Sequence, residues 1–448
     1  MNQRLTIAIL GYGGRGRTYA RYALKHPERL KVVAVAEPNP DRLQNAAKAH
    51  GLSQEVLFTH WKDFFQKPIA ADGVVIATQD IMHVEPAVSA MKAGYHVLLE
   101  KPMALTPEDC ERLVQVSQET QKSLNICHVL RYVEMLRKVK DIIDSGRLGK
   151  LTSVFHSENV TYAHMAHSFV RGHWSNSEAS SPIVLAKTCH DLDLLVWWIG
   201  QKPRRVSSMG SISQFQSSRA PKGAPQRCLD GCPAAETCLY EAKRTYLDGR
   251  WVKQCLVDSG DFVTKMGIRF MLRHPRLASK LPLFKSYYPW TEWPTNVLTE
   301  NLTEEGILEA LKTGPYGRCV YHCDNDQPDH QDTIIEFEEG TTAILRLNAH
   351  SHREERTFRI DGEKGSLRGT FGSKPRLELH QHLDGSVTHF SLNARSTGHR
   401  EGDERIMEEF VDVLQGEPGK TSAADSATSH FLAFAAHRAR MTSQVVEL

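Results

Sequence analysis

Residues 4–16, Arg-Leu-Thr-Ile-Ala-Ile-Leu-Gly-Tyr-Gly-Gly-Arg-Gly, leave this chain few ways to begin folding. Leu5 to Leu10 is a short apolar run of strand formers, which suits a buried parallel strand. Gly11, Gly13 and Gly16 follow at a G-x-G-x-x-G spacing, and Arg17 to His26 continues as a helix that Pro27 ends. Between a strand and a helix, the first such glycine permits a tight bend and the second a close approach of pyrophosphate to backbone. The third lets helix pack on strand, and the phosphates face the positive helix end. Lys31 to Ala36 is a second apolar run ending in Glu37, twenty-one residues beyond Gly16. A carboxylate there accepts hydrogen bonds from both adenosine ribose hydroxyls and repels a 2′-phosphate, so NAD is favoured over NADP. Gly11, Tyr12, Gly13, Gly14, Arg15, Gly16 and Glu37 are the expected contacts of that cofactor.

The strand and helix alternation continues to Cys127. Asp41 to Gly51 reads as a helix and Gly73 to Ala77 as a strand that delivers Thr78, Gln79 and His83 to its carboxyl end, where ligands lie in an open parallel sheet. Pro86 to Ala93 is helical, Tyr95 to Leu99 is a further strand, and Glu100-Lys101-Pro102 follows it to the same rim. Glu108 to Gln121 is an amphipathic helix and Ser123 to Cys127 the last strand. Thr78, Gln79, His83, Glu100 and Lys101 therefore join the expected cofactor contacts.

At 448 residues there is length for two or three domains. No apolar run approaches the roughly 20 residues of a membrane span, and the opening residues read as a strand rather than a signal peptide. A formal charge of +2 gives no basic footprint for nucleic acid. Nine cysteines, an odd number with no export signal, suit reduced thiols in the cytoplasm.

The glycine turn, Thr78 with His83, Glu100-Lys101-Pro102, Ser145-Gly-Arg-Leu-Gly149 and Cys189-His-Asp-Leu-Asp193 together resemble the Gfo/Idh/MocA oxidoreductases, named for glucose-fructose oxidoreductase and inositol dehydrogenase. Order and spacing match over roughly the first 200 residues. The resemblance implies an α/β protein: a Rossmann domain (1–127), then a second α/β domain (128–448) with a large open, mostly antiparallel sheet that faces the nicotinamide and often supports homo-oligomers. It also implies oxidation or reduction of a secondary alcohol on a sugar or cyclitol. His190 occupies the position that the family places at the reacting hydroxyl. Many members carry aspartate four residues before it, whereas this chain has Ala186 there and Lys187 next, so Lys187 is a candidate replacement.

Within the second domain, Arg131 to Ser145 reads as a linking helix and Leu151 to Thr161 as a strand. Tyr162 to Ser181 is a loop dense in histidine, arginine and tryptophan, which suits either a sugar site or a polar surface. Pro182 to Gly200 reads as one helix with Lys187 and His190 on a shared face. The expected catalytic groups are Lys101, His190 and Lys187, and the expected substrate contacts are Arg131, His167, Arg171, Trp174 and Asp191. An insertion at about 217–329 interrupts the family pattern. Its Cys228, Cys232 and Cys238, with Cys319 or Cys323, suggest a structural zinc site, against free thiols packed as small hydrophobes. Strands return after Asp329, and two helices close the chain.

The reaction so implied is hydride transfer between NAD and a sugar carbinol. Some relatives instead use bound NAD transiently to oxidise, eliminate and re-reduce a glycoside. A non-catalytic dinucleotide sensor is a third reading, which retention of Lys101 and His190 opposes.

Overall fold

The computed structural model describes residues 4–448 apart from 68, 260–261, 279 and 393–398. Strands β1 (Leu5–Leu10), β2 (Leu30–Ala36), β3 (Leu57–Phe58), β4 (Gly73–Ile76), β5 (His96–Leu99) and β6 (Leu124–Ile126) pair in parallel in the order β3-β2-β1-β4-β5-β6. Strand order reverses between β1 and β4. That switch point opens a crevice at the carboxyl ends, into which the glycine turn, Thr78 and Glu100 all emerge.

Strands β7 (Leu151–Thr161), β8 (Pro203–Ser211), β9 (His330–Phe337), β10 (Thr342–Ser351), β11 (Glu355–Gly362), β12 (Gly365–Phe371), β13 (Arg376–Gln381), β14 (Val387–His389) and β15 (Val446–Glu447) make a second sheet in the order β14-β13-β12-β11-β7-β10-β9-β8-β15. Only the β7 and β10 pair is parallel among the pairs described. Alternation sets its two faces. Ile335, Phe337, Leu345 and Ile360 point inward to a core shared with Leu136, Leu192, Trp198 and Leu432 of three covering helices, while Met209, Ile334 and Ile344 point outward.

Four features depart from the sequence expectations. Strands β13 and β14 extend the sheet beyond the strands expected. The expected Pro182 to Gly200 helix divides into Ile183–Ala186 and Cys189–Ile199; between them the Thr188 N–H reaches back to Ile183 O, one residue further than an α-helix allows, and Lys187 is set at the break. The expected loop after β7 begins as a helix, Tyr162–Met165, and a widened turn, Ala166–Arg171, whose residues are all buried. Helix His399–Leu414, from the stretch expected in the second domain, packs Ile406, Met407, Phe410 and Val411 into the core of the first with Ile7, Ile9 and Tyr19. No described helix is long and apolar enough to cross a membrane.

Two histidines are buried where the domains meet. His430 Nε2 accepts the Met103 N–H at 2.9 Å while Nδ1 donates to Ser426 O at 2.9 Å, an arrangement that requires a neutral ring. Burial pushes His430 down to about 4 and the neighbouring His128 down to about 3. The unfolded chain binds protons on both below about pH 6.5, where the folded chain does not. Stability is therefore expected to fall as pH drops from about 6.5 towards 4, by about 1.4 kcal/mol per pH unit for each histidine. Urea unfolding at a series of pH values checks this, and His430→Gln should lower the slope by about one proton.

Candidate active site

Gly11 has φ +88°, and a Cβ there would lie 2.5 Å from Ala77 O; one on Gly16 would overlap Gly11 O. These two glycines keep strand, turn and helix in contact. Gly13 and Gly14 differ, because a Cβ on Gly14 meets nothing within 4 Å and one on Gly13 meets only the Arg42 guanidinium at 3.9 Å. Open space thus adjoins a helix, Gly14–Lys25, whose first amides have no capping side chain. Glu37, almost fully buried at the end of β2, accepts the Tyr12 N–H at 2.7 Å and the Asn39 N–H at 3.0 Å, one on each oxygen. Each oxygen keeps acceptor capacity for a ribose hydroxyl. The residues present fit a dinucleotide.

Other expected cofactor residues act on the frame of the crevice. The Arg15 side chain reaches Asp403, Tyr19 and Glu100, and Glu100 also accepts the Tyr19 O–H at 2.6 Å and the Lys101 N–H at 2.9 Å. Burial alone would raise the Glu100 carboxyl, but the charges of Arg15 and Lys101 outweigh it and hold it below its usual range. His83 ties the two rims, with Nδ1 2.6 Å from Pro102 O and Nε2 3.2 Å from Thr78 O, and the Thr78 hydroxyl donates to Met82 O. Gln79 begins the short turn Asp80–Met82.

Across the crevice, Lys101 Nζ donates to Ala186 O at 2.6 Å. The β5 rim is thereby fastened to the segment that carries Lys187 and His190. His190 lies in the first turn of helix Cys189–Ile199, 5% exposed, its ring 5.9 Å from His128. Lys187 Nζ is 3.3 Å from Glu158 and 3.9 Å from Glu354. Glu354 accepts the Thr161 N–H and O–H and lies 3.0 Å from His164 Nδ1; against the upward pull of burial, His164 and Lys187 hold its carboxyl well below the usual range. Glu158 has the opposite fate. It is enclosed in β7 with Arg356 Nε 3.1 Å away, and burial pushes its carboxyl up to about 7.

Glu158, Glu354, His156 and Arg356 were not singled out from sequence. The available signal was the polar run His156-Ser157-Glu158 inside an expected strand, where buried ionisable groups are uncommon.

Four of the five expected substrate residues have side-chain polar atoms bonded to other groups of the protein. Asp191 is fully buried against His156 Nε2 and Arg356 Nε, both at 2.7 Å. Arg131 forms a two-point bond to Asp193 and donates to Lys420 O. Arg171 donates to the carbonyls of Arg318 and Tyr240 and to Cys228 Sγ, and His167 stacks on Tyr316 with Nδ1 3.0 Å from Tyr246 Oη. The widened turn after β7 points these last two into the insertion. Trp174 alone stays at the domain junction, its indole N–H donating to Asp80 at 2.9 Å.

The zinc expectation fails. Cys228, Cys232, Cys238 and Cys319 line one small cavity of about 20 Å³, and Cys323 bonds Cys319 O, yet among the described residues no three His, Cys, Asp or Glu donors converge to hold a metal. Burial pushes the Cys238, Cys319 and Cys323 thiols up, as suits thiols packed as small apolar groups.

Residues 5–128 match the family model for the NAD-binding Rossmann fold of the Gfo/Idh/MocA oxidoreductases, and residues 136–225 match a C-terminal domain model of the same family. Over 201 residues the chain is 28% identical to inositol 2-dehydrogenase of Burkholderia cenocepacia, covering 44% of this chain and 55% of that one. Over 208 residues it is 27% identical to 2,7-anhydro-N-acetylneuraminate hydratase of Mediterraneibacter gnavus, covering 45% and 51%. The chain thus spans about half the length of these curated relatives. Apo scyllo-inositol dehydrogenase from Lactobacillus casei superposes with a TM-score of 0.63 at 18% identity, covering 100% of this chain and 99% of that one. The WlbA dehydrogenase of Bordetella pertussis, in complex with NADH and UDP-GlcNAcA, gives 0.63 at 17% over the same shares. At such identities the likeness speaks for the fold. Both domain models of the Gfo/Idh/MocA oxidoreductases therefore match in order along residues 5–225 of a chain that folds into two sheets of the same kind as its structural neighbours.

Proposed function

We propose that the chain is an NAD-dependent oxidoreductase that moves a hydride between nicotinamide and a secondary alcohol carbon of a sugar, a cyclitol or a related compound. The observation that carries this reading is the fastening of Lys101 to Ala186 O, which joins the rim of the dinucleotide crevice to the segment bearing Lys187 and His190. Bound NAD supplies the hydride acceptor. As the hydride leaves carbon, the hydroxyl proton must leave oxygen, and His190 is the base in this reading. Lys101 donates a hydrogen bond to the developing alkoxide. Glu158 beside Lys187 is a second candidate for moving a proton, because burial raises its carboxyl towards neutrality.

That same pair favours a second reading, in which oxidation is transient and an elimination follows, with no net redox change. A lysine between two carboxylates provides the acid and base that elimination needs. Incubation of sugars, cyclitols, their keto forms and glycosides with NAD or NADH separates the two. Net change in NADH absorbance supports the first reading, and release of an aglycone without it supports the second. Turnover of none of them would sink both.

Glu37 sets the cofactor choice in this account. Glu37→Gln removes the charge that repels a 2′-phosphate while keeping an amide oxygen as acceptor. Discrimination against NADP, measured as the ratio of kcat/KM values, is expected to fall on the order of 10-fold. Cytoplasmic residence and homo-oligomerisation through the outward face of the second sheet belong to the same proposal.

A further inference from the structure

The insertion meets the crevice at two points only seven residues apart in sequence. At one, Trp293 packs edge-on against His164, His167 and Trp251, with ring centroids 5.0, 5.5 and 5.2 Å away. His164 in turn touches Glu354, which faces Lys187. At the other, Glu300 accepts from Arg42 Nε at 3.0 Å, and Arg42 lies beside Gly13 of the glycine turn. Between them Thr295 is fully buried and its hydroxyl donates to Tyr246 O at 2.6 Å. This segment therefore runs from the charged cluster of the second domain to the dinucleotide turn of the first.

Trp293 is 39% exposed, whereas Trp198, Trp251 and Trp290 are under a tenth exposed. An indole braced by three rings is a flat apolar face already fixed in place, so a ligand that stacks on it orders little else. Trp251 in turn lines a cavity of about 250 Å³ with Tyr162, Arg244, Arg250 and Gln254. The buried Trp251 indole N–H has no partner among the described residues. A fixed aromatic face suits a pyranose, whose C–H face is apolar, and the cavity on the far side of Trp251 offers cations and an amide to its hydroxylated rim.

We propose that Trp293 is the platform of a second ring-binding subsite, built by the insertion beside the reacting centre, and that the substrate is a glycoside whose further ring stacks there. A free monosaccharide or cyclitol would leave this subsite empty. The inference rests on the reading of Lys101 and His190 as the reacting centre.

Calorimetric titration of the full chain loaded with NADH, which cannot oxidise an alcohol, tests it. The probes are a panel of monosaccharides, the disaccharides and 4-nitrophenyl glycosides derived from them, and UDP-sugars. For at least one sugar, the disaccharide or nitrophenyl glycoside is expected to bind 10-fold or more tightly than the monosaccharide. Trp293→Ala should abolish that ratio and Trp293→Phe should keep most of it. The subsite is overturned if no glycoside exceeds its monosaccharide, if only UDP-sugars gain and Trp293→Ala leaves their gain unchanged, or if Trp293→Ala weakens both forms in equal proportion. Oxidation of free monosaccharides with no preference for glycosides would overturn the subsite and leave the dehydrogenase reading standing. Glycoside binding that depends on Trp293, with no turnover of any substrate, would do the reverse.

Discussion

Lys101→Met is expected to lower turnover by on the order of 100-fold or more while NAD affinity stays nearly the same. Methionine preserves most of the length and the apolar stem but cannot donate to Ala186 O or to an alkoxide. The dinucleotide contacts proposed at Gly13, Gly14 and Glu37 lie in the turn and helix start after β1 and just beyond β2, and do not pass through this side chain. Loss of rate with retained binding, by NADH absorbance and by fluorescence titration of NAD, would place Lys101 in the transition state rather than in cofactor capture. Lys101→Arg adds a control: it restores the cation and the bond to the carbonyl but not the compact ammonium. An arginine variant with normal domain docking, judged by thermal unfolding, and persistently low turnover would assign the effect to chemistry. An unchanged rate in the methionine variant would remove Lys101 from the mechanism.

What was legible in the sequence is what short stretches determine. The turn from Gly11 to Gly16, the strand ends at Thr78 and Glu100, and the alternation of β9 and β10 each follow from a few neighbouring residues. The charged cluster follows from register. Arg356 lies opposite Glu158 across β11 and β7, and Phe358 opposite His156, pairings that join residues about 200 positions apart and leave no local periodicity. The cysteines mislead for a related reason. Thiols close in sequence can line one cavity without converging, and Arg171, expected at substrate, is instead turned onto Cys228. Lys187 was found because the resemblance fixed its neighbour His190. Its two carboxylate partners come from β7 and from the residue just before β11, which the same motif does not contain.

Arg356→Met is expected to cost about 3–5 kcal/mol of stability in the second domain, because it removes the cation from a buried group of acids rather than a bond from the surface. Arg356 is 7% exposed and contacts both Asp191 and Glu158; burial opposes its charge, but the two carboxylates raise its affinity for the proton well beyond the usual. Without it, Asp191 keeps only His156 among these bonds and Glu158 keeps Lys187. The Glu158 carboxyl, already raised by burial, should rise further, so the variant should recover stability as pH is lowered towards neutrality and below, until the buried histidines described above begin to titrate. The sign follows from the folded state binding the proton more tightly than the unfolded chain, in which a glutamate titrates near 4.3. Arg356→Met combined with Glu158→Gln removes one charge of each sign and should regain part of the loss, a coupling that a double-mutant cycle in urea measures directly. Binding of NAD to the first domain should persist throughout, since none of these residues touches the glycine turn. A cost below about 1 kcal/mol would mean that water already screens the cluster, as at a surface pair, and Asp191 would then be free to meet a substrate hydroxyl, the contact expected of it from the sequence.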